Sequence, residues 1–375
     1  MPPRYATLAP GDPAPWFKQR STSNPNYAFD TVGGRYVVMC FFGSAADRGA
    51  QAALRAVRTH RTQLDDLQAC FFGVSVDPAD AEGGRIEESL PGIRFFLDFD
   101  AAVSRLYGAV ALDAAGDANT IEMRRFWLLL DPTLRIIARI PFAPDGSDGE
   151  AVFDMLRRLP PLGQAAGAGG ELPVPVLWLP DVFEPELCRT LIAAYERHGG
   201  EESGFMRDID GKTTLVHDPW HKRRRDFTIE DEKLIGVIQN RVVRRIKPQI
   251  QKVHHFEATR MERYLVACYR ADDGGHFRPH RDNTTKGTAH RRFAVSINLN
   301  DGFEGGDLSF PEFGPRAFRP PVGGAVVFSC SLLHTVSPVT KGHRFAFLPF
   351  LYDEAAAKLR AANHHFLGAG YEYTA

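Results

Sequence analysis

The sequence predicts two domains in series, an α/β layer followed by a mainly-β domain of short antiparallel strands with flanking helices. Three observations carry this expectation. The chain has 375 residues, enough for two cores. A Gly-, Ala- and Pro-rich stretch, PPLGQAAGAGGELPVP at 160–175, has little to bury and reads as a boundary. Across it the texture changes, from long apolar runs separated by helical spacing to short alternating runs separated by Gly-rich turns. The expected division is a first domain at 1–160, a linker at 161–172 and a second domain at 173–375.

In the first part, RYVVMCFF at 35–42 and CFFGVSV at 70–76 are continuous apolar runs, as expected of strands buried on both faces. Between them, residues 45–67 place Ala53, Leu54, Val57, Leu64 and Leu67 at helical spacing. Phe95–Leu97 reads as a third, weaker strand and Ala101–Tyr107 as a short helix. FWLLL at 126–130 and IIARI at 136–140 flank Asp131-Pro132-Thr133 and predict a hairpin. In the second part, Phe183–Arg197 is an amphipathic helix with a stripe of Leu187, Leu191, Ile192 and Tyr195, ended by Gly199-Gly200. Thr228 with Asp231 suggests a capping box for a second helix, apolar at Leu234, Ile238, Val242 and Ile246. Its other face is basic, with Arg241, Arg244, Arg245 and Lys247. From Glu262 onward the alternation and turns are those of an antiparallel sandwich or jelly roll.

Composition narrows the function classes. Hydrophobic residues are 44% and charged residues 24%, as in ordinary globular proteins. Lys+Arg is 45 and Asp+Glu is 46, a formal charge of -1 that argues against a general nucleic-acid or anionic-membrane partner. The longest apolar runs are about ten residues, too short to cross a bilayer. The N-terminal MPPRYATLAPGDPAPWF has no apolar core of the signal-peptide kind, and Cys40, Cys70, Cys188, Cys268 and Cys330 are scattered without a CxxC. A reducing, cytoplasmic setting is therefore expected, with neither a disulfide scaffold nor a Cys-rich zinc site.

The chemistry concentrates in YRADDGGHFRPHRD at 269–282. His280 and Asp282 are two apart, so on an extended strand they face one side and can meet one metal ion. His334, after the apolar run AVVFSC at 325–330, is the best third ligand. Two His and one carboxylate form the facial triad of non-haem Fe(II) oxygenases. Such iron needs an electron-donating cosubstrate, and the distal carboxylate of a 2-oxo acid needs a paired cation. Arg344, ten residues after His334, begins another apolar strand, and the turn at Ser337–Gly342 should bring it back alongside His334. Tyr269 could donate its hydroxyl to the same cosubstrate. The structural alternative is surface histidines with Asp282 in a turn, and a sharper rival is passive binding of Zn²⁺ or Ni²⁺.

Two resemblances follow from these residues. GDPAPWF, VVMCFF, GVSVDP, FFLDFDAAVSRLYGA and RFWLLLDPTLRI resemble the peroxiredoxin branch of the thioredoxin-like fold over residues 8–158. That branch places a thiolate nucleophile in the loop after the first core strand, where this chain has Gly43–Gly49 without a Cys. Cys40 and Cys70 fall in strands, and Ser44 has no visible base, so the resemblance implies a scaffold without its reaction. LVACYRADDGGHFRPHRDN, SINLN, EGGDLSFP, AVVFSCSLLHTVSPV and GHRFAF resemble the 2-oxoglutarate- and Fe(II)-dependent oxygenases of the prolyl 4-hydroxylase branch over residues 172–355. The stretch LVACY is similar to the hypoxia-type prolyl hydroxylases.

This second resemblance implies a double-stranded β-helix, with His280, Asp282 and His334 as iron ligands, Arg344 on the distal carboxylate of 2-oxoglutarate and Tyr269 on the cosubstrate. Relatives often place a Tyr where this chain has Asn298. Asn298 shares strand parity with Ser296, so both are expected to face the cosubstrate. The implied reaction couples decarboxylation of 2-oxoglutarate to hydroxylation of a C–H bond on a prolyl residue, another amino acid, a peptide or a small metabolite. Ascorbate is a candidate reductant and a homodimer a candidate assembly. The alternative is a redoxin-type thiol oxidoreductase or a partner-docking protein with a vestigial metal site. Among the remaining features, His276 could line the pocket mouth. His254, His255, His290, His343, His364 and His365 read as surface residues. The basic run HKRRRD at 221–226 could clamp an acidic substrate or a nucleic-acid backbone, but reads first as a solvated loop.

Overall fold

The computed structural model describes residues 3–114, 122–163 and 172–368, so most of the linker expected at 161–172 lies outside the described residues. The chain divides into two compact units, Met1–Leu172 with Pro311–Pro315, and Pro173–Phe310 with Arg316–Ala375. Among the described residues no helix is long and apolar enough to cross a membrane.

The first unit is built on a five-stranded sheet. Its strands are β1 (Tyr36–Gly43), β2 (Ala69–Ser75), β3 (Ile93–Leu97), β4 (Phe126–Leu130) and β5 (Ile136–Pro141), in the spatial order β3-β2-β1-β4-β5. β1, β2 and β3 run parallel, while β4 and β5 are antiparallel additions joined as the expected hairpin. Every residue of β1, β2 and β4 is buried, which is why these strands read as unbroken apolar runs. One face, with Val38, Cys40, Phe42, Phe71, Phe95 and Trp127, packs on α1 (Arg48–Thr59) and α2 (Asp148–Arg157). Asp47 caps α1 by accepting from Gly49 N at 2.8 Å. The buried Trp127 donates its indole N–H to Asp148 at 2.6 Å. The other face, with Val37, Met39, Phe41, Phe72 and Phe96, is covered by Ala14, Phe29, Val32 and Tyr107. This is the α/β thioredoxin-like arrangement.

Among the described residues the second unit contains two large antiparallel sheets and two two-stranded ones. The larger includes β6 (Arg225–Thr228), β7 (Leu265–Arg270), β8 (Phe293–Asn298), β9 (Ala325–Ser329) and β10 (His343–Phe347), ordered β8-β10-β7-β6 with β9 on the far side of β8. Side-chain parity divides its two faces. Val266, Cys268, Val295, Ile297, Phe345 and Phe347 join one core with Leu187, Leu191, Ile238, Val242 and Ile246. These last residues come from α3 (Pro185–His198), from α4 (Glu232–Arg245) and from the residue that follows it. Gly199, at φ 89, ends α3 in the left-handed region that glycine tolerates. The cap of α4 differs from the expected capping box. Asp231 caps it by accepting from Lys233 N and Leu234 N, while Thr228 closes a strand. The smaller sheet contains Lys222–Arg223, β11 (His276–His280) and β12 (His334–Val336) as neighbours, in that order. Together the two sheets form the jelly-roll domain, with helices on the outer face of the larger sheet.

Candidate metal centre and its cavity

The smaller sheet brings two imidazoles together. β11 and β12 pair antiparallel with His280 opposite His334, after a register shift that follows Phe277. The ring centroids are 4.2 Å apart. Asp282 lies beyond the end of β11, in a turn rather than on the strand itself, and Asp282 N donates to Cys330 O at 3.0 Å. The carboxylate reaches both rings, with Oδ1 3.7 Å from His280 Nε2 and Oδ2 3.4 Å from His334 Nε2. Donor atoms of the three side chains all lie within 4.8 Å of one another, the only such group of three among the described residues.

The partners of the imidazoles fix their tautomers. His280 Nδ1 faces Arg278 O at 2.7 Å and His334 Nδ1 faces Leu332 O at 3.0 Å. A carbonyl oxygen can only accept, so each Nδ1 carries the proton and each Nε2 turns a lone pair toward the centre. Burial, with His334 next to it, holds His280 well below its ordinary value and so keeps it neutral. Two imidazole nitrogens and one carboxylate, preoriented around a common point, fit a divalent iron ion.

The larger sheet supplies the opposite wall of the same cavity, lined by Tyr269, Ser296 and Arg344 together with His280, Asp282 and His334. Parity explains this, because Tyr269, Ser296 and Arg344 alternate with the residues that face the helices. Tyr269 and Arg344 are cross-strand partners on β7 and β10. The turn at Ser337–Gly342 therefore does not return Arg344 beside His334. It carries the chain into the other sheet, and the two residues meet across the cavity. Arg344 is 4% exposed; its Nη2 donates to Ser296 Oγ at 3.1 Å and its Nη1 is buried without a hydrogen-bond partner. A buried guanidinium nitrogen without a partner, on the wall of a cavity, fits an incoming carboxylate.

Several expected residues sit elsewhere. Asn298 is buried, but its Nδ2 donates to Asn300 O and Pro320 O, and the structure does not bring it to this cavity. The strand ends there, so its amide serves the loop rather than the pocket. His276 is held by Gly274 O and Trp220 O. His290 is not a surface residue; it is 1% exposed and bonds Glu262 at 2.9 Å. All five cysteines are buried. Burial pushes the thiol of Cys70 up to about 12 and that of Cys40 higher than usual, so neither is a poised nucleophile. Ser44 has carboxylates for company, donating to Asp77 at 2.7 Å.

The basic run is the largest departure from the sequence expectation. It is not a solvated loop. Lys222 and Arg224 are 5% and 6% exposed, while Arg223 faces solvent. Arg224 forks onto Asp226 at 2.7 and 2.6 Å, and its Nη1 lies 3.4 Å from the Tyr269 hydroxyl. The signal was the parity of Lys222, Arg224 and Asp226, the period of a strand with one buried face.

A model of the 2OG-Fe(II) oxygenase superfamily matches residues 264–352, and a model of the AhpC/TSA family matches residues 10–137. A PKHD-type hydroxylase of Maricaulis maris (strain MCS10) is 36% identical over 90 residues, covering 23% of this chain and 40% of the relative. Another, of Azoarcus sp. (strain BH72), is 25% identical over 189 residues, covering 47% and 77%. The chain thus spans about two fifths of the length of the first of these relatives. Among solved structures, a prolyl hydroxylase from Trichoplax adhaerens, in complex with a hypoxia inducible factor oxygen degradation domain peptide fragment, has a TM-score of 0.41 and 19% identity, covering 50% of this chain and 86% of that one. The chain is therefore similar to the AhpC/TSA family in its N-terminal region and to the 2OG-Fe(II) oxygenase superfamily in its C-terminal region.

Proposed function

We propose that the protein is a 2-oxoglutarate-dependent Fe(II) dioxygenase that hydroxylates a C–H bond, on a prolyl residue or another amino-acid or peptide substrate. The observation that supports this best is the pairing, across one cavity, of a preoriented two-His, one-Asp donor set with a buried Arg344 whose Nη1 lacks a partner. The names of the relatives point the same way. His280, Asp282 and His334 would hold the metal. Arg344 would bind the distal carboxylate of 2-oxoglutarate, with Ser296 orienting the guanidinium through its hydroxyl and Tyr269 donating to the cosubstrate. When bound, iron with 2-oxoglutarate supplies the activation of O₂ that the side chains cannot provide, and ascorbate would serve as an auxiliary reductant.

The chain's own contribution is to bind, orient and exclude water. The Nδ1–H bonds to Arg278 and Leu332 carbonyls hold each imidazole in one orientation. Phe328, its ring centroid 4.8 Å from that of His334, supplies an apolar wall beside the centre. The boundaries at 160 and 172 and a homodimeric assembly belong to the same proposal. Incubating the full chain aerobically with Fe(II) and 2-oxoglutarate is expected to yield succinate and CO₂, and His334→Ala is expected to abolish both. A metal-loaded protein that leaves 2-oxoglutarate untouched, with or without a candidate peptide, would overturn the reading.

A further inference from the structure

A second cavity, of about 300 Å³, adjoins the donor set and shares Arg263, Phe277, His280 and Asp282 with the first. Lys222 lines this second cavity and not the first. Its Nζ donates to Ser203 Oγ at 2.7 Å and Gly204 O at 2.5 Å, and lies 5.0 Å from the Phe277 ring centroid. Both acceptors are neutral. An ammonium has three N–H donors, so one remains for a guest. A buried cation without an anion is expensive, and proteins resolve this by pairing it. Of the internal carboxylates in the cavity, Asp226 is already forked by Arg224 and lies 3.5 Å from Arg263, and Asp282 belongs to the donor set. Glu201 and Glu202, at the mouth, are solvent-exposed and therefore screened. Phe205, Met206 and Phe277 give the cavity apolar walls.

We infer that Lys222, supported by Arg263, is a carboxylate-recognising subsite in the cavity next to the metal-ligand set. Its guest is an apolar molecule bearing a carboxylate, either a free amino acid or a peptide with an acidic side chain. That the guest is also the molecule hydroxylated rests on the oxygenase reading above. The subsite is separate from Arg344, which lines the first cavity only, so one carboxylate is assigned to each cavity.

The test uses the full chain with Zn(II) in place of Fe(II) and saturating 2-oxoglutarate, which fills the Arg344 side. Ligand-observed NMR then compares free L-amino acids with their primary amides, and acetylated peptide amides carrying Asp with those carrying Asn. Acids are expected to bind about ten- to a hundredfold more tightly than their amides, the scale of one hydrogen bond between charged groups. Whichever series shows the preference identifies the source of the carboxylate. Lys222→Met is expected to remove the preference. If that variant does not fold, as read by circular dichroism, Arg263→Gln on a partly exposed side chain is expected to weaken acids severalfold and spare amides. No binding by any acid, equal binding of acids and amides, or a preference that survives in folded Lys222→Met would overturn the inference. The resonances of 2-oxoglutarate in the same samples report separately on the oxygenase reading.

Discussion

Single side chains in this protein act through what they leave unpaired. The two imidazoles each spend one nitrogen on a backbone carbonyl, and so present the other to the centre. Replacing either His280 or Asp282 with Ala is expected to abolish Fe(II) binding in calorimetric titration, because two remaining ligands underfill the site. Arg344 spends one nitrogen on Ser296 and keeps another free. Losing one partner of a buried charge pair typically costs about 3–5 kcal/mol. Arg344→Ala should therefore raise the 2-oxoglutarate concentration for half-saturation by at least about a hundredfold, with metal affinity retained. Lys341 is the control. It is exposed and bridges Glu304 at 3.0 Å, so Lys341→Ala should leave the same measurement unmoved. An equal effect from the two variants would place the carboxylate site elsewhere.

At the level of elements, strand parity assigns each residue of the larger sheet either to the helices or to the cavity. Helix caps test the local part of this construction. Asp231→Ala should destabilise the fold by about 1 kcal/mol in denaturant titration, since it removes the acceptor for two N–H groups of α4. Thr228→Ala should cost much less, as Thr228 is an exposed strand residue and not the cap. Glu262 tests the tertiary part. It accepts from Arg291 at 2.7 Å and bonds His290 at 2.9 Å, tying its strand to a loop, and lies 3.5 Å from Arg360 on the last helix. Burial alone would raise its carboxyl, but Arg291 and His290 outweigh burial and hold it at about 2. The unfolded chain titrates near pH ~4.3. The bridge therefore contributes its full stability above that pH and loses it as the pH falls toward about 2. Thermal unfolding of the parent should become easier across that window, and Glu262→Gln, already weakened at neutral pH, should show a flatter dependence. An unaltered slope in the variant would assign the acid sensitivity to other carboxylates.

For the whole molecule, the first unit has a redoxin-type sheet whose two cysteines are both buried. Cys40 and Cys70 sit within strands where burial raises both thiols, and the loop Gly43–Gly49 has no cysteine. Alkylation of the native chain with iodoacetamide, followed by mass spectrometry, is expected to leave all five cysteines unmodified, and denaturation to expose all five. Rapid native modification of Cys40 or Cys70 would reopen thiol chemistry in this unit.

By itself the sequence determined the α/β layer, since strands buried on both faces must be apolar at every position, as in Tyr36–Gly43. It also singled out His280, Asp282 and His334, the three side chains whose donor atoms the structure groups, because a two-residue spacing and a histidine after an apolar run are local signals. It expected Arg344 to return beside His334, and it read Asn298 as a cosubstrate contact. Neither is what the structure shows, because which sheet a strand joins after a turn, and which way an amide turns at a strand end, depend on partners far along the chain. The same holds for His290 and for the basic run. A histidine or a lysine is expected in solvent unless a distant group makes burial affordable, and only the assembled sheets place Glu262 against His290, or Ser203 and Gly204 against Lys222. Tertiary structure decided those positions because the free energy of a buried charge is set by the groups around it and not by its neighbours in sequence.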